Sequence, residues 1–247
     1  MITTQDLNAV TPEQFAAILA GPPDAALAWM RAAARAGVTE AQAVLGQMLL
    51  DGRGQARDPE EALQWFQRAA RKNHPMAMNM LGQCHQHGWG LPPNAVMAAY
   101  WFRLAAQAGL DWGMYNYATA LVLGQGVAPD RKAALAWLDR AAELGHAKSL
   151  NILGGFHEDG WEVPADEDAA LALYRRAAEG GDFRGHFNLA RLLARRGQIE
   201  QALQSLDRVP ERATPAFLAK AADFLLASGD ARLRTKGQAF RAMLRTG

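Results

Sequence analysis

One cysteine, Cys84, stands in 247 residues, so no disulfide can close within the chain. A reducing compartment, the cytoplasm, is the expectation that follows. No apolar run approaches the roughly 20 residues that span a bilayer, which sets membrane insertion aside. The opening MITTQDLNAV has neither the basic start nor the apolar stretch of a secretory signal. Serine is scarce: Ser149, Ser205 and Ser228 are the full set, and none sits in a Gly-x-Ser-x-Gly elbow. A His-Glu-x-x-His pair and a phosphate loop ending in Gly-Lys-Ser/Thr are missing too. Those absences argue against catalysis, and the expectation is a protein that is not an enzyme and needs no cofactor. Net charge is nearly absent as well, at +1, so no polyanionic partner is indicated by the whole. Its distribution is less even: residues 184–247 hold 12 Lys/Arg against 5 Asp/Glu, and residues 1–183 hold 14 against 20.

What the chain does have is a period. Trp29, Trp65, Trp101 and Trp137 stand 36 residues apart, with Ala26, Ala62, Ala98 and Ala134 three residues before them. Alanine pairs follow at 33/34, 69/70, 105/106, 141/142 and 177/178. A fixed period of this size marks stacked supersecondary units, none of which buries its apolar face alone.

Each unit reads as two helices around a glycine turn. Ala41, Leu45 and Leu49 form an amphipathic stripe, and Gly46 implies that a neighbouring helix comes close. Gly52-Arg53-Gly54 makes the turn. Asp58 is expected to cap the second helix, with Pro59 at its first position and Glu61 completing a capping box. The second helix then runs through Trp65, Phe66, Ala69 and Ala70, and one Trp or Leu of each unit is expected to fill the gap between helices. These features predict an all-α fold: an α-solenoid, a right-handed superhelix of antiparallel helix pairs with about 14 helices and no strand. Residues 1–38 form an N-terminal cap and half-repeat, 39–182 four repeats, and 183–247 degenerate repeats with a C-terminal cap, all in one repeat domain.

The composite pattern A-x3-LG-x5-G-x-G-x3-D-x3-A-x2-W-[FY]-x2-AA resembles the Sel-one-like repeat, a branch of the tetratricopeptide superfamily. Ala41 to Ala70, Ala77 to Ala106, Gly113 to Ala142 and Ser149 to Ala178 carry it. Departures are Tyr117-Ala118 for Leu-Gly, Glu162 for the second turn glycine and Leu173 for the Trp. The resemblance implies an adaptor or scaffold, bacterial in many cases, that binds another protein or an extended peptide along the concave face of its first helices. It places on that face Asn79, Gln83, Gln86, Trp112, Tyr115, Asn116, Thr119, Asn151, Arg184, Phe187, Asn188 and Arg191. The amides can donate to and accept from a peptide main chain, the rings can anchor apolar groups, and Arg184, Arg191 and Arg195 can clamp a carboxylate.

Trp89 and Trp161, 72 residues apart, occupy the middle of two glycine turns. They either form a rim contact or fold back over the next helix pair. Cys84, His74, His85 and His87 invite a metal reading, but His85 and His157 share one repeat position and His74 and His146 another, so packing explains most of them and no metal is expected. Two alternatives stay open. The basic C-terminal units could bind RNA, although the stripe lacks a code-like regularity, or the chain could associate with itself as a homo-oligomer.

Overall fold

The computed structural model describes residues 2–246. Among them are fifteen α-helices and one 3₁₀ turn, with no strand. Two compact units divide between Asp130 and Arg131. The first contains α1 (Thr4–Ala9), α2 (Pro12–Ala20), α3 (Pro23–Arg35), α4 (Thr39–Asp51), α5 (Pro59–Ala70), α6 (Pro75–His87), α7 (Ala95–Gln107) and α8 (Asp111–Leu123). The second contains α9 (Arg131–Glu143), α10 (Ala147–Asp159), α11 (Glu167–Glu179), α12 (Phe183–Arg195), α13 (Ile199–Asp207), the 3₁₀ turn Val209–Glu211, α14 (Pro215–Leu226) and α15 (Ala231–Thr246).

The expected count of about fourteen falls one helix short, and the difference lies at the start of the chain. Thr3 and Thr11 each cap a helix, taking the N–H of Asp6 and of Gln14, and both caps are closed into a box by those side chains. Two start signals eight residues apart leave room for two short helices instead of one.

Within each unit successive helices pack as antiparallel neighbours, and the caps follow the repeat. Asp58 accepts from the N–H of Glu61 at 2.8 Å, and Asn94 accepts from Met97 at 3.0 Å. Glu61, however, does not complete a capping box. Its carboxylate is taken by Arg31, with Nη2 at 3.1 Å, and by the indole N–H of Trp65 at 3.1 Å. The Asp58 N–H that a box would use donates to the Leu49 carbonyl at 3.0 Å instead, and the charge-assisted pair with the guanidinium is the stronger bond for the carboxylate.

The gap between helices is filled by the residue after the Trp, which corrects the sequence expectation. Phe66 and Phe102 are buried at 0% and 3% exposure, and in the second unit Leu138 and Tyr174 are buried at 0% and 2%. Trp29, Trp101 and Trp137 are only half-buried, while Trp65 is buried. The close approach expected at Gly46 is real, and its agent is a ring: a Cβ there would stand 2.6 Å from Phe66. In the second unit Tyr174 covers Gly154 in the same way, at 2.5 Å. Thus the helical stripe sets the large side chain at one position and the missing side chain at its facing position, so the two helices nest.

The turn glycines are needed on two counts. Gly90 has φ +74°, and a Cβ on it would run into the backbone of Pro59 at the start of the preceding second helix. Glu162 keeps the left-handed conformation of its glycine counterparts, with φ +60°. After α12 the long turn is gone: Gly197, at φ +73°, leads almost directly into α13, which has nine residues. Val209 and Phe240, 0% and 1% exposed, close the core of this last part.

Candidate partner-binding surface

The first helices of the hairpins, α6, α8, α10 and α12, carry the residues singled out in the sequence. Two asparagine pairs tie neighbouring first helices together, one in each unit. Asn116 donates from Nδ2 to Asn79 Oδ1 at 2.8 Å, and Asn188 donates to Asn151 Oδ1 at 2.9 Å. Asn79 is buried at 2% exposure, so its carbonyl oxygen serves Asn116 and not a partner. Asn116, Asn151 and Asn188 are half-buried. Each pair thereby holds one amide in a fixed orientation with hydrogen-bonding capacity left over.

In the first unit Asn116 and Thr119 of α8 and Gln86 of α6 edge a recess of about 350 Å³, together with Pro93, Phe102 and Gln125. Thr119 turns its hydroxyl back to the carbonyl of Tyr115 at 2.8 Å, so that hydroxyl proton is already in use. Gln83 lies half-buried on α6. Trp112 is exposed at 36%, and its ring meets Tyr115 edge to face at 6.1 Å and 84°. The two rings brace each other and offer apolar carbon at low entropic cost.

In the second unit a larger recess, about 460 Å³, opens between α12 and α14. Phe187, Ala190 and Ala194 form one wall and Phe224, Leu225 and Ala227 the other, with Leu206 and Leu233 behind and Arg191 and Arg195 at one side. Phe187 stacks edge-on to both Phe217 and Phe224 at 5.5 Å, and Phe183 meets Phe217 at 4.9 Å. Arg184, exposed, lies 4.5 Å above Phe183 and 5.7 Å from Phe217. Phe217 and Phe224 were not singled out from the sequence. Their seven-residue spacing on α14, matched to Phe183 and Phe187 on α12, is the signal that places them on facing stripes.

Arg191 requires a correction. The carboxylate it was expected to clamp belongs to this chain: Glu158 on α10 receives both Nη1 and Nη2 of Arg191, the former at 2.6 Å. Arg195 adds a contact at 3.2 Å, and the Tyr174 hydroxyl donates to the same carboxylate at 3.0 Å. Burial works to raise the pKa of Glu158, but the hydrogen bonds and charges of Arg191, Tyr174 and Arg195 win and hold it below the ordinary glutamate value. Burial and the neighbouring carboxylate push the Tyr174 hydroxyl up, so it stays a donor. Arg191 thus fixes the wall of the recess and is not a free clamp.

The turn-borne tryptophans differ. Trp89 is half-buried against the core of the first unit, 4.8 Å from the ring of His87. Trp161 keeps 38% exposure, with Phe156 against its edge at 5.8 Å and the Arg131 guanidinium 4.6 Å over its face. Trp161 therefore meets side chains of the two helices before it, Phe156 of α10 and Arg131 of α9.

The cysteine and histidines sit apart as chemistry. Cys84 is fully buried, and burial pushes its thiol up to about 12, where a reactive thiolate is out of reach. His74 caps α6, accepting from Ala77 at 3.2 Å, and its other nitrogen is 2.8 Å from Glu40. Among the described residues no three His, Cys, Asp or Glu side chains converge as a metal site, and no helix is long and apolar enough to cross a membrane.

Comparison with known proteins follows the repeat. A family model described as Sel1 repeat matches residues 23–38, 39–74, 75–110, 113–146 and 147–182. Nothing among the curated proteins matches. Among solved structures, a Sel1 repeat protein from Oxalobacter formigenes is 26% identical with a TM-score of 0.81, over 95% of this chain and 98% of that one. A protective antigen of uropathogenic Escherichia coli with an SLR fold is 24% identical with a TM-score of 0.73; the match takes in 95% of this chain, which spans 52% of that protein's length. The immunity protein PA5088 of Pseudomonas aeruginosa is 18% identical with a TM-score of 0.56, over 85% of this chain and 82% of that one.

Proposed function

Because this chain belongs to the Sel1 repeat family, whose members are generally protein–protein interaction modules, we propose that it is a non-catalytic scaffold. It holds another protein, as an extended peptide or a helix, against the exposed stripe of its first helices. One observation carries the reading: each unit has a recess edged by that stripe, Gln86, Asn116 and Thr119 in one and Phe187 with Arg191 in the other. Apolar floors with a few oriented polar groups at the edge are the composition that binding pockets use.

RNA has less support. The basic side chains of α15 are largely committed within the chain: Arg232 pairs with Glu200 and Asp230, Lys236 with Asp207, and Arg241 with Asp223. Neutralised charges release few counterions on binding a phosphate backbone.

A photo-crosslinking side chain at Gln86 or Arg184, both exposed, tests the scaffold in its native host. The same group at Gln67, exposed on a second helix, is the control. Protein adducts from the first-helix positions and not from Gln67 are the expected result. Equal yield from all three positions, or adducts from Gln67 alone, overturns the assignment.

A further inference from the structure

The geometry points to the α12–α14 recess as the seat of an acidic peptide segment that carries a bulky apolar side chain. This deepens the scaffold reading and rests on it: it assigns the chemical class of partner to one of the two recesses.

The recess lining contains two arginines, one serine, apolar residues and no acid. Along α12, Arg184, Arg191 and Arg195 follow at intervals of seven and four residues, so they share one face of the helix. Arg191 and Arg195 are braced by Glu158, and Arg195 by Glu167 as well. Arg184 differs: it rests on Phe183 and Phe217, and the acid that feels its charge, Asp182, is buried and accepts from the N–H of Gly185 as the cap of α12. Stacking holds a guanidinium in place while its N–H fork stays open for an incoming carboxylate. Residues 184–247 carry seven more basic than acidic residues; Glu158, Glu167 and Asp168, which lie before this segment, pair with Arg191, Arg195 and Arg196 and cut that excess to four, still the sign that draws an acidic partner in from solution.

Four phenylalanines run beside this basic stripe: Phe183, Phe217, Phe187 and Phe224, each ring within 5.5 Å of the next. Phe217 and Phe224 are seven residues apart on α14, which sets the row at about 10 Å long. A row of that length, leading from an open arginine to an apolar recess, fits an elongated chain better than a compact ligand. The rings meet edge to face at 74° to 86°, so they spend their faces on one another and do not form parallel platforms for stacked bases. Phe224, at the mouth, is 51% exposed. Covering it with a partner's leucine or aromatic side chain is the main apolar gain on binding.

The test uses the full-length protein and a displayed library of random 12-residue peptides. Peptides enriched on the protein are expected to pair Asp or Glu with Leu, Phe or Trp. Their affinity should fall about tenfold or more for Phe224→Ala and for Arg184→Ala, and by a similar factor as salt rises from low to physiological strength for the charged part. Both side chains are exposed, and unchanged thermal unfolding of the variants separates lost binding from lost folding. If enriched peptides bind equally well to both variants but weaken on Gln86→Ala, the scaffold reading stands and the acidic-segment assignment is wrong. If enrichment carries no acidic bias, or if an RNA pool outcompetes every enriched peptide at this recess, the assignment is likewise overturned.

Discussion

The ring of Phe66 on α5 lies over Gly46 on α4, where an added Cβ would stand 2.6 Å from Cε1. This contact, and its counterpart between Tyr174 and Gly154, is how helices within a hairpin nest. It also reverses the ordinary preference of helices for alanine over glycine. In an exposed helix Gly to Ala stabilises by roughly 1 kcal/mol, but here the methyl has no room.

Gly46→Ala is therefore expected to destabilise by about 1–3 kcal/mol. Urea titration followed by circular dichroism measures it, and Phe66→Leu in the same chain should recover part of the loss. A neutral Gly46→Ala would mean that the ring is not the filler. By the same reasoning Phe102→Ala should cost about 3–5 kcal/mol, and Trp101→Ala, half-buried, distinctly less.

Glu158 makes the second unit acid-sensitive. Its pKa in the folded protein lies below the ordinary glutamate value because Arg191, Tyr174 and Arg195 outweigh the effect of burial. A depressed folded pKa gives stability that is fully present above the unfolded value, about 4.3, and is lost as pH falls toward the folded one. Glu158→Gln should flatten the decline in melting temperature below about pH 4.5 while lowering stability at pH 7. Arg191→Ala, which leaves the carboxylate without its bidentate partner, should cost about 3 kcal/mol at pH 7. Melting curves from pH 3 to 7 decide both.

Glu162 holds φ +60° without being glycine. Replacing it by glycine removes a left-handed penalty of roughly 1–2 kcal/mol, offset in part by the extra freedom of the unfolded chain. A net gain of about 0.5–1 kcal/mol in thermal unfolding is expected. Gly90→Ala should do the opposite and by more, because the Pro59 backbone stands in the way. Equal effects at the two turns would show that φ alone matters.

His85 keeps Nδ1 buried without a hydrogen-bond partner, and burial lowers its pKa from 6.5. The unfolded chain then binds the proton more readily, so stability falls as pH drops below about 6.5 and levels off below the folded pKa. His85→Phe fills the same place without the orphaned nitrogen and should flatten that slope between about pH 7 and 5. A slope that persists unchanged in the variant assigns the effect elsewhere, with His186, also lowered by burial, the next to replace.

Much of the architecture could be read in advance because it is periodic. A 36-residue spacing of Trp, Ala and Gly is a statement about helix faces and turns, and Asp58, Asn94 and the turn glycines behave as their positions require. The residue that fills each gap stands directly after the expected Trp or Leu, in Trp65-Phe66, Trp101-Phe102, Trp137-Leu138 and Leu173-Tyr174; both neighbours are large and apolar and only 100° apart on the helix. Such a step decides which side chain faces the core, and the sequence pattern alone resolves it poorly. The candidate surface was half legible. Stripe positions such as Gln86, Asn116 and Phe187 do edge recesses. Asn79 and Arg191 look identical to them in sequence and are consumed inside the protein.

The amino-acid order by itself determined that the chain folds as stacked helical hairpins, since the repeat of small, apolar and capping residues is local and each unit obeys the same rule. Only the tertiary structure decided which polar groups remain for a partner. Glu158 meets Arg191 across 33 residues, and Phe187 on α12 meets Phe224 on α14 across α13 and the 3₁₀ turn. Those pairings depend on distances between separate helices, which packing sets and no periodicity records.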